Sequence, residues 1–301
     1  MRYANACQVT QMTQASPSSL KTVLSDQERT ALLSLLADED PAVYEAVRAR
    51  IIGHGAEAVG WLRDHTRSNQ PLVRRRALDI LRHFKRQETD NAFLAFCVSQ
   101  GEDLDIEEAA WLLASAEYPD INITGYRAWL DQIAGDLFER IDYGAEPDQI
   151  IGVVNKRLFT ELGFVGNEKN YYDPENSYLN RVLDRRTGNP INLALVYLLL
   201  ARRLRLPVAG IGMPGHFVCR FQSTTAEIYI DVFNRGRLLT KSDCVKYLLQ
   251  STQGYQESHL APVTPRRMLI RICLNLHQIY VQAGSSAKAA RVQRYLVALS
   301  N

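Results

Sequence analysis

Residues 188–201 read GNPINLALVYLLLA, a helix start followed by an almost unbroken apolar run. Proline fits the first position of a helix and asparagine caps well, so Asn189 and Pro190 predict where this helix begins. Beyond Pro190 only Asn192 carries a strongly polar side chain, so no face of the helix is left for water. The run is too short to cross a bilayer. The sequence therefore predicts a helix buried on nearly every side.

Short segments rich in Val, Ile, Phe and Tyr follow this helix and are separated by turn residues, a pattern typical of a strand meander. A hairpin of residues 216–231 that sets Arg220 opposite Glu227 would pair opposite charges across the strands. The same register sets His216 opposite Asp231 on one face of the sheet. We therefore predict a hydrogen-bonded His216–Asp231 pair, in which the carboxylate fixes the imidazole tautomer.

Asn192 falls in the first turn of the buried helix. Free backbone amides and the helix dipole at such a position lower the pKa of a cysteine and activate it as a nucleophile. The chain therefore has the setting of a cysteine nucleophile, with a histidine and an aspartate to serve it, but an asparagine in its place.

Four motifs in order along the chain carry a resemblance to a known family. They are Asp173–Leu179, Val182–Ile191, Pro214–Phe217 and Asp231–Phe233. They resemble the transglutaminase-like superfamily, in particular its bacterial, invasion-regulator-like SirB type, over about residues 100–301. The resemblance implies an α+β fold: a transglutaminase/papain-like core, in which a buried helix packs on an antiparallel sheet, flanked by helical N-terminal and C-terminal segments.

The resemblance also implies roles for particular residues. In the wider superfamily a Cys-His-Asp triad performs acyl transfer or amide hydrolysis, so His216 would be the base and Asp231 its orienter. The cysteine position would fall on Asn192, or on Ile191 if the alignment slips by one residue. In this branch that position is commonly a small polar residue, which implies a triad without its nucleophile.

Four further polar residues are candidates for binding. Asp173 starts a helical turn, and we expect Asn176 and Ser177 to hydrogen-bond backbone near the site, with a nucleophilic Ser177 as the alternative. Arg185 and Arg186 lie beside the start of the buried helix, where they would bind a carboxylate or phosphate or form an ordinary surface pair.

Composition narrows the class of protein. The chain has 301 residues, 46% of them hydrophobic, which is enough for a large core. Its net charge of +2 indicates no particular partner. Five cysteines without a CxxC spacing favour reduced thiols in a cytoplasmic protein, and alternation places Cys219 in the core, away from His216. The first residues contain no apolar signal or anchor, and the histidines are scattered. We expect no membrane segment, no cofactor and no structural zinc.

The pattern of helices and strands divides the chain into five segments. These are a polar segment at 1–25, a HEAT-like helical repeat at 26–99, a helical segment packing on the core at 100–143, the transglutaminase-like core at 144–261 and a tetratricopeptide-like hairpin at 262–301. A single hairpin cannot bury its own apolar face, so the last segment would pack on the core or offer a groove to a partner.

The predicted helix at 71–86 is locally basic. It contains five arginines and one lysine against a single acidic residue, Asp79. Nucleic-acid binding is one interpretation. A solvated helix face, with Arg75 and Asp79 paired one turn apart, is favoured because interleaved aromatic residues and a strongly basic domain are absent.

Three functional hypotheses follow. The first is a degenerate, non-catalytic or regulatory protein. It binds a polypeptide in the cleft that corresponds to the active site of the superfamily enzymes, because no acyl-enzyme can form without the thiol. The second is a hydrolase in which His216, oriented by Asp231, activates water for amide or ester hydrolysis, while the Asn192 amide stabilises an oxyanion. The distant third is nucleic-acid binding through residues 71–86. The oligomeric state is left open.

Overall fold

The structure is a computed structural model and describes residues 24–300, so almost all of the polar segment predicted at 1–25 lies outside the described residues. The described chain forms two compact units, residues 24–84 and 85–300. The predicted division into five segments is finer than this, and its inner boundaries stay predictions.

The first unit is helical. Its helices are α1 (Asp26–Ser34), α2 (Pro41–Gly53), α3 (Glu57–Leu62) and the first part of α4 (Pro71–Ser99). Leu36, Ile51, Leu62 and Ile80 are among the fully buried side chains of its core. The predicted helix start at residue 71 is confirmed, but the predicted end near 86 is wrong: no Gly or Pro interrupts the chain, and α4 runs on to Ser99. The HEAT-like label stays a prediction.

The second unit contains the remaining helices and both sheets. After the end of α4, the helices are α5 (Ile106–Glu117), α6 (Ile123–Arg140), α7 (Pro147–Asn155), α8 (Leu179–Arg185), α9 (Pro190–Arg203), α10 (Lys241–Leu249), α11 (Pro265–Gln282) and α12 (Ser286–Ser300). A parallel pair joins β1 (Val165–Gly166) to β2 (Thr187–Gly188). The main sheet is antiparallel, in the order β3 (Val208–Ile211), β4 (Val218–Gln222), β5 (Glu227–Asp231), β6 (Arg237–Leu239).

The buried run of the sequence is helix α9. Asn189 caps it, its side-chain oxygen accepting the Asn192 N–H at 3.0 Å, and Pro190 is the first helical residue, as predicted. Eleven of its fourteen residues are buried, because α6, α8, α11, β3 and β4 all pack against it. The predicted α+β core, with a buried helix packed on an antiparallel sheet and helices around it, is confirmed.

The predicted register of the β4–β5 hairpin is wrong by two residues. Arg220 lies opposite Tyr229, and Glu227 lies opposite Gln222. The Arg220–Glu227 attraction survives as a diagonal contact, with Nη1 donating to Oε1 at 3.2 Å. Because the slip is an even number of residues, every side chain keeps the predicted face. His216 lies before the start of β4, however, and is not a cross-strand partner of Asp231.

The C-terminal helices α11 and α12 pack on the core of the second unit. Leu269, Ile272 and Tyr295 belong to the same buried cluster as α9. The hydroxyls of Tyr178 and Tyr280 lie 2.7 Å apart in the interior. Of the two placements left open by the sequence, the structure shows packing against the core. The tetratricopeptide-like label stays a prediction.

A buried ion-pair network ties α5 to the end of α9. The Glu107 side chain is only 5% exposed and accepts hydrogen bonds from Arg203 at 2.8 Å and Arg202 at 2.6 Å. Burial alone would raise the pKa of Glu107, but the hydrogen bond and charge of Arg203 outweigh it, so the pKa is lowered.

We expect Glu107→Gln to lower the free energy of unfolding at pH 7 by roughly 2 kcal/mol, because it removes charged hydrogen bonds. A carboxylate whose pKa is lowered by folding stabilises the protein above its unfolded pKa and stops doing so as the pH falls through its folded pKa. Wild type should therefore lose more stability than Glu107→Gln between pH 6 and pH 3, as measured by urea unfolding at each pH. Equal losses would contradict the assignment.

None of the helices found between residues 24 and 300 is long and apolar enough to cross a membrane.

Candidate functional site

A cavity of about 360 Å³ opens beside His216, within the second unit. Its wall comes from the loop before the helical turn at 174–177, the start of α9, the turn before β4 and one face of α11. We call it the His216 cavity. The residues that line it are Tyr171, Tyr172, Asn189, Pro190, Ile191, Gly215, His216, Phe217, Arg271, Asn275, Gln278 and Ile279. A volume of this size lies in the lower part of the range for small-ligand sites.

His216 and Asp231 meet at the edge of this cavity. Pro214 and Gly215 form a tight turn, in which Gly215 adopts a positive φ of 74° and the His216 N–H donates to the Met213 carbonyl at 3.1 Å. The turn brings His216 Nε2 to 3.0 Å from Asp231 Oδ1 at the end of β5. The N–H direction is off the hydrogen-bond ideal, so this is a close polar contact rather than a well-aligned bond.

Asp231 is held as a carboxylate. Burial would raise its pKa, but the contact with His216 and the hydrogen bonds from Asn234 outweigh burial, and the pKa of Asp231 is lowered. The Asn234 backbone N–H donates to Oδ1 at 3.2 Å, and its Nδ2 donates to Oδ2 at 2.8 Å. The negative charge therefore faces Nε2 of His216. Within the described chain the other ring nitrogen, Nδ1, has no hydrogen-bond partner.

Two aromatic rings hold the imidazole. The ring centroid of Tyr247 lies 5.8 Å from that of His216, and the centroid of Phe233 lies 6.3 Å away, edge on. Tyr171 in turn packs edge to face against Phe233 at 6.1 Å. A second cavity of about 500 Å³ is lined by His216 as well, together with Asp231, Phe233, Cys244 and Tyr247 among others. The imidazole thus borders both cavities.

The first turn of α9 presents Ile191 to the His216 cavity, and Asn192 is not on the wall. Asn192 is 1% exposed, and its Nδ2 donates to Asn189 Oδ1 at 3.0 Å. The residue predicted for the nucleophile position therefore lies in the first turn, as expected, but its side chain is bound to the cap of its own helix. The position one residue earlier, the alternative left open by the sequence, lines the cavity with His216.

A buried polar network supports the wall. Asn176 is fully buried, accepts a hydrogen bond from Asn167 Nδ2 at 2.9 Å, and donates to the carbonyls of Asn170 and Tyr171 at 2.8 and 3.1 Å. Ser177 accepts from Asn189 Nδ2 at 3.0 Å. Neither Asn176 nor Ser177 lines the His216 cavity. They hold the loop that carries Tyr171 and the cap of α9.

Arg185 and Arg186 also lie away from this cavity. Arg185 Nη1 is 2.8 Å from both Asp173 Oδ2 and Glu175 Oε2, so its charge is paired within the fold. Arg186 ends α8 in a left-handed conformation, with φ of 53°, and lines a separate surface pocket with Asp184.

The described cysteines are all buried. Cys97, Cys219, Cys244 and Cys273 are free thiols, and Cys7 lies outside the described residues. Burial raises the pKa of Cys97 to about 12 and that of Cys244 to about 11, and it raises the pKa of Cys219 and Cys273 as well. Cys219 lies in the core, as alternation along β4 predicts. In the part of the chain that the structure describes, no three His, Cys, Asp or Glu side chains are grouped as a metal site.

Comparison with known proteins identifies the family. A family model described as "Transglutaminase-like superfamily" matches residues 124–274, which run from α6 into α11 and include His216 and Asp231. The chain belongs to this superfamily. The finer SirB-type assignment stays a prediction.

Three similar proteins each match part of this chain. A UPF0162 protein of Xylella fastidiosa is 35% identical over 196 residues, which is 63% of this chain and 70% of that protein. A UPF0162 protein of Pseudomonas aeruginosa is 30% identical over 207 residues, or 67% and 74%. F-box only protein 21 of Homo sapiens is 38% identical over 144 residues, 45% of this chain and 22% of that protein. No solved structure matches.

The chain brings a histidine and an aspartate into contact, and two residues of nucleophile type, Cys244 and Lys246, line the second cavity with them rather than the His216 cavity. Among the described residues that line the His216 cavity there is no Cys, Ser, Thr or Lys. The imidazole can accept or donate a proton at the cavity, and the wall offers amide and phenol groups, but it has no side chain that would form an acyl-enzyme.

Sequence reasoning missed the contribution of α11. Arg271, Asn275 and Gln278 line the cavity from the C-terminal hairpin. Their spacing of four and seven residues puts them on one helix face, beside an apolar face that packs on the core. That polar stripe was a usable signal. A role in the site could be assigned to this stripe only once the position of the hairpin on the core was known.

In the first unit, some charged side chains in the basic stretch of α4 make contacts that stabilise the fold. Arg76 is buried and donates to the carbonyls of Leu36 and Asp38, and its guanidinium lies 4.5 Å from the Tyr44 ring. Asp79 accepts from Arg48 Nε at 2.9 Å and from the Tyr44 hydroxyl at 2.8 Å. These contacts give Arg76 a structural role.

Proposed function

We propose that this chain is a transglutaminase-like protein without the nucleophilic cysteine, and that it binds a polypeptide in the His216 cavity without catalysis. The observation that carries the proposal is the composition of the wall. Ile191 stands in the first turn of α9 where a superfamily enzyme would need a thiol, and the described lining residues supply no substitute. Without a nucleophile no acyl-enzyme forms.

The polar groups of the wall suit a peptide chain. Asn275 and Gln278 on α11 are amides that can both donate and accept hydrogen bonds, as a peptide unit requires. Tyr171 and Tyr172 stand beside them with exposed rings, which are common anchors at protein-binding surfaces. Polar side chains make up much of this wall, and polar groups placed in this way fix the orientation of a ligand.

A reducing cytoplasm is the compartment that we propose. Four free cysteines are buried in the described chain, and free thiols of this kind are typical of proteins that work where disulfides do not form.

Selection from a random heptapeptide library tests the proposal. We expect wild-type protein to enrich specific peptides, and Gln278→Trp to weaken their binding at least about tenfold by filling the mouth of the cavity. Gln278 is exposed, so the fold should tolerate the larger ring. Val281→Trp is the matched control, because Val281 is 57% exposed on the same helix and does not line the cavity.

The bound peptides should keep their mass after prolonged incubation, as checked by mass spectrometry. If no peptide is enriched, or if Gln278→Trp binds the enriched peptides as tightly as Val281→Trp, the polypeptide-binding proposal is wrong.

The alternative function is hydrolysis by activated water. The contact between His216 Nε2 and Asp231 favours it, since it leaves Nδ1 without a partner within the described chain. Ile191, the second residue of α9, could offer its backbone N–H to an oxyanion, and residues 24–300 give that N–H no other acceptor. Release of p-nitrophenol from p-nitrophenyl acetate by wild type, lost in His216→Ala, would favour this alternative over a pure binder.

A further inference from the structure

Arg271 is a cation on the wall of the His216 cavity without a carboxylate beside it. It lies in the middle of α11 and is half-buried. Within residues 24–300 the charged or titratable groups that act on it are two phenols, Tyr171 and Tyr247, and no aspartate or glutamate pairs with it. Most other half-buried arginines of this unit, such as Arg185 and Arg203, lie within 3 Å of a carboxylate oxygen.

Two contacts fix the position of its guanidinium. Arg271 Nη2 donates to the His216 carbonyl at 2.8 Å, and the guanidinium carbon lies 5.5 Å from the centre of the Phe217 ring. This hydrogen bond uses one of the five N–H donors of the guanidinium, so the others remain available to bind a ligand. The same hydrogen bond ties α11 to the turn that carries His216.

Burying this charge without a partner is unfavourable. Burial lowers the pKa of Arg271 from its usual value, because removal from water penalises the charged form. An arginine nevertheless stays charged at neutral pH. The described wall of the cavity carries no acidic side chain that could balance it. An anionic group on a ligand would supply the missing charge and pair with the free N–H groups.

We propose that the His216 cavity binds a carboxylate of its polypeptide ligand, with Arg271 as the counter-ion. The carboxylate is either the end of the chain or an acidic side chain. A single guanidinium matches a single carboxylate charge and can bind both of its oxygens. Asn275 and Gln278, on the same face of α11, would then bind the neighbouring peptide units. The inference rests on the proposed function and adds the chemistry of the ligand.

Nuclear magnetic resonance titration of the whole protein tests the inference at constant ionic strength. The probes are N-acetyl-trialanine with a free carboxylate, the same peptide as its amide, N-acetyl-Ala-Glu-Ala amide and inorganic phosphate. We expect the resonances of the His216 ring and of α11 to shift saturably with a carboxylate peptide, with a Kd at least about tenfold lower than for the amide. Comparison of N-acetyl-trialanine with N-acetyl-Ala-Glu-Ala amide shows whether the cavity prefers a chain-terminal or a side-chain carboxylate.

Variants of one helix provide the controls. Arg271→Gln should abolish the preference for the carboxylate, and Arg271→Lys should retain part of it, because the charge stays but the fork is lost. Arg267→Gln is the matched control, since Arg267 is exposed one turn earlier and does not line the cavity. A purely structural Arg271 would give wild type no preference between the acid and the amide.

The wild-type comparison stands even if Arg271→Gln does not fold. Equal binding of acid and amide overturns the carboxylate inference and leaves polypeptide binding intact. A response to phosphate alone, or to none of the probes, also overturns it, while the peptide selection above decides the proposed function independently.

Discussion

Ile191→Cys is expected to create a thiol that iodoacetamide labels at pH 6 about a hundredfold faster than any of the four described native cysteines. Ile191 lies in the first turn of α9 and lines the cavity with His216. A helix start and a neighbouring imidazole both favour the thiolate, and a fall of about two in the pKa of a thiol raises its thiolate fraction about a hundredfold at this pH. The described native cysteines are buried, and burial raises the pKa of each.

Labelling should be followed by mass spectrometry in a Cys7→Ser background, since Cys7 lies outside the described residues. Adding His216→Ala should remove the enhancement. Asn192→Cys is the matched control and should label slowly, because this side chain is turned to Asn189 and does not line the cavity. Fast labelling at 192 with slow labelling at 191 would restore the position inferred from sequence.

Asn176→Leu is expected to lower the free energy of unfolding by about 4 kcal/mol. The asparagine is fully buried, and its side chain satisfies the carbonyls of Asn170 and Tyr171 and the amide of Asn167. Leucine has a similar volume but leaves these three groups buried without a partner, at about 1 to 3 kcal/mol each. Urea unfolding measures the loss.

Asn91→Leu in α4 is the control, because Asn91 is exposed in the same unit; its stability should change by less than about 0.5 kcal/mol. Peptide binding by Asn176→Leu at a temperature where it is folded should also weaken, since the loop with Tyr171 loses its anchor. A loss of stability no larger than that of the control would mean that water replaces the amide.

The local features of the site could be predicted from the sequence. Asn189 and Pro190 define the start of α9, because capping and the fixed φ of proline act within a few residues. The face of Cys219 on β4 was also predictable, because alternation depends only on even and odd spacing, but His216 lies in the chain before β4, where alternation does not apply. The register of the β4–β5 hairpin could not be predicted. Residues 214 and 215 are used in a turn, β4 starts at Val218, and charge pairing between Arg220 and Glu227 is satisfied by a diagonal contact as well as by a direct one.

The contributions that sequence reasoning missed come from long-range packing. Arg271 reaches His216 across 55 positions of the chain, and Tyr178 meets Tyr280 across 102. No local rule specifies which part of the core an amphipathic hairpin covers. The choice between Ile191 and Asn192 was similarly open, because both lie in the same turn. Both are buried, but Ile191 lines the cavity, whereas the Asn192 side chain is bonded to Asn189.

The charged and polar groups at the His216 cavity come from separate elements. His216 and Asp231 belong to the sheet and its turn, whereas Arg271, Asn275 and Gln278 all stand on α11. The apolar face of α11 carries the packing, so its polar face is free to change without repacking the core. Substitutions on this one face of α11 can therefore change the chemistry of the cavity wall while His216 and Asp231 stay in place on other elements.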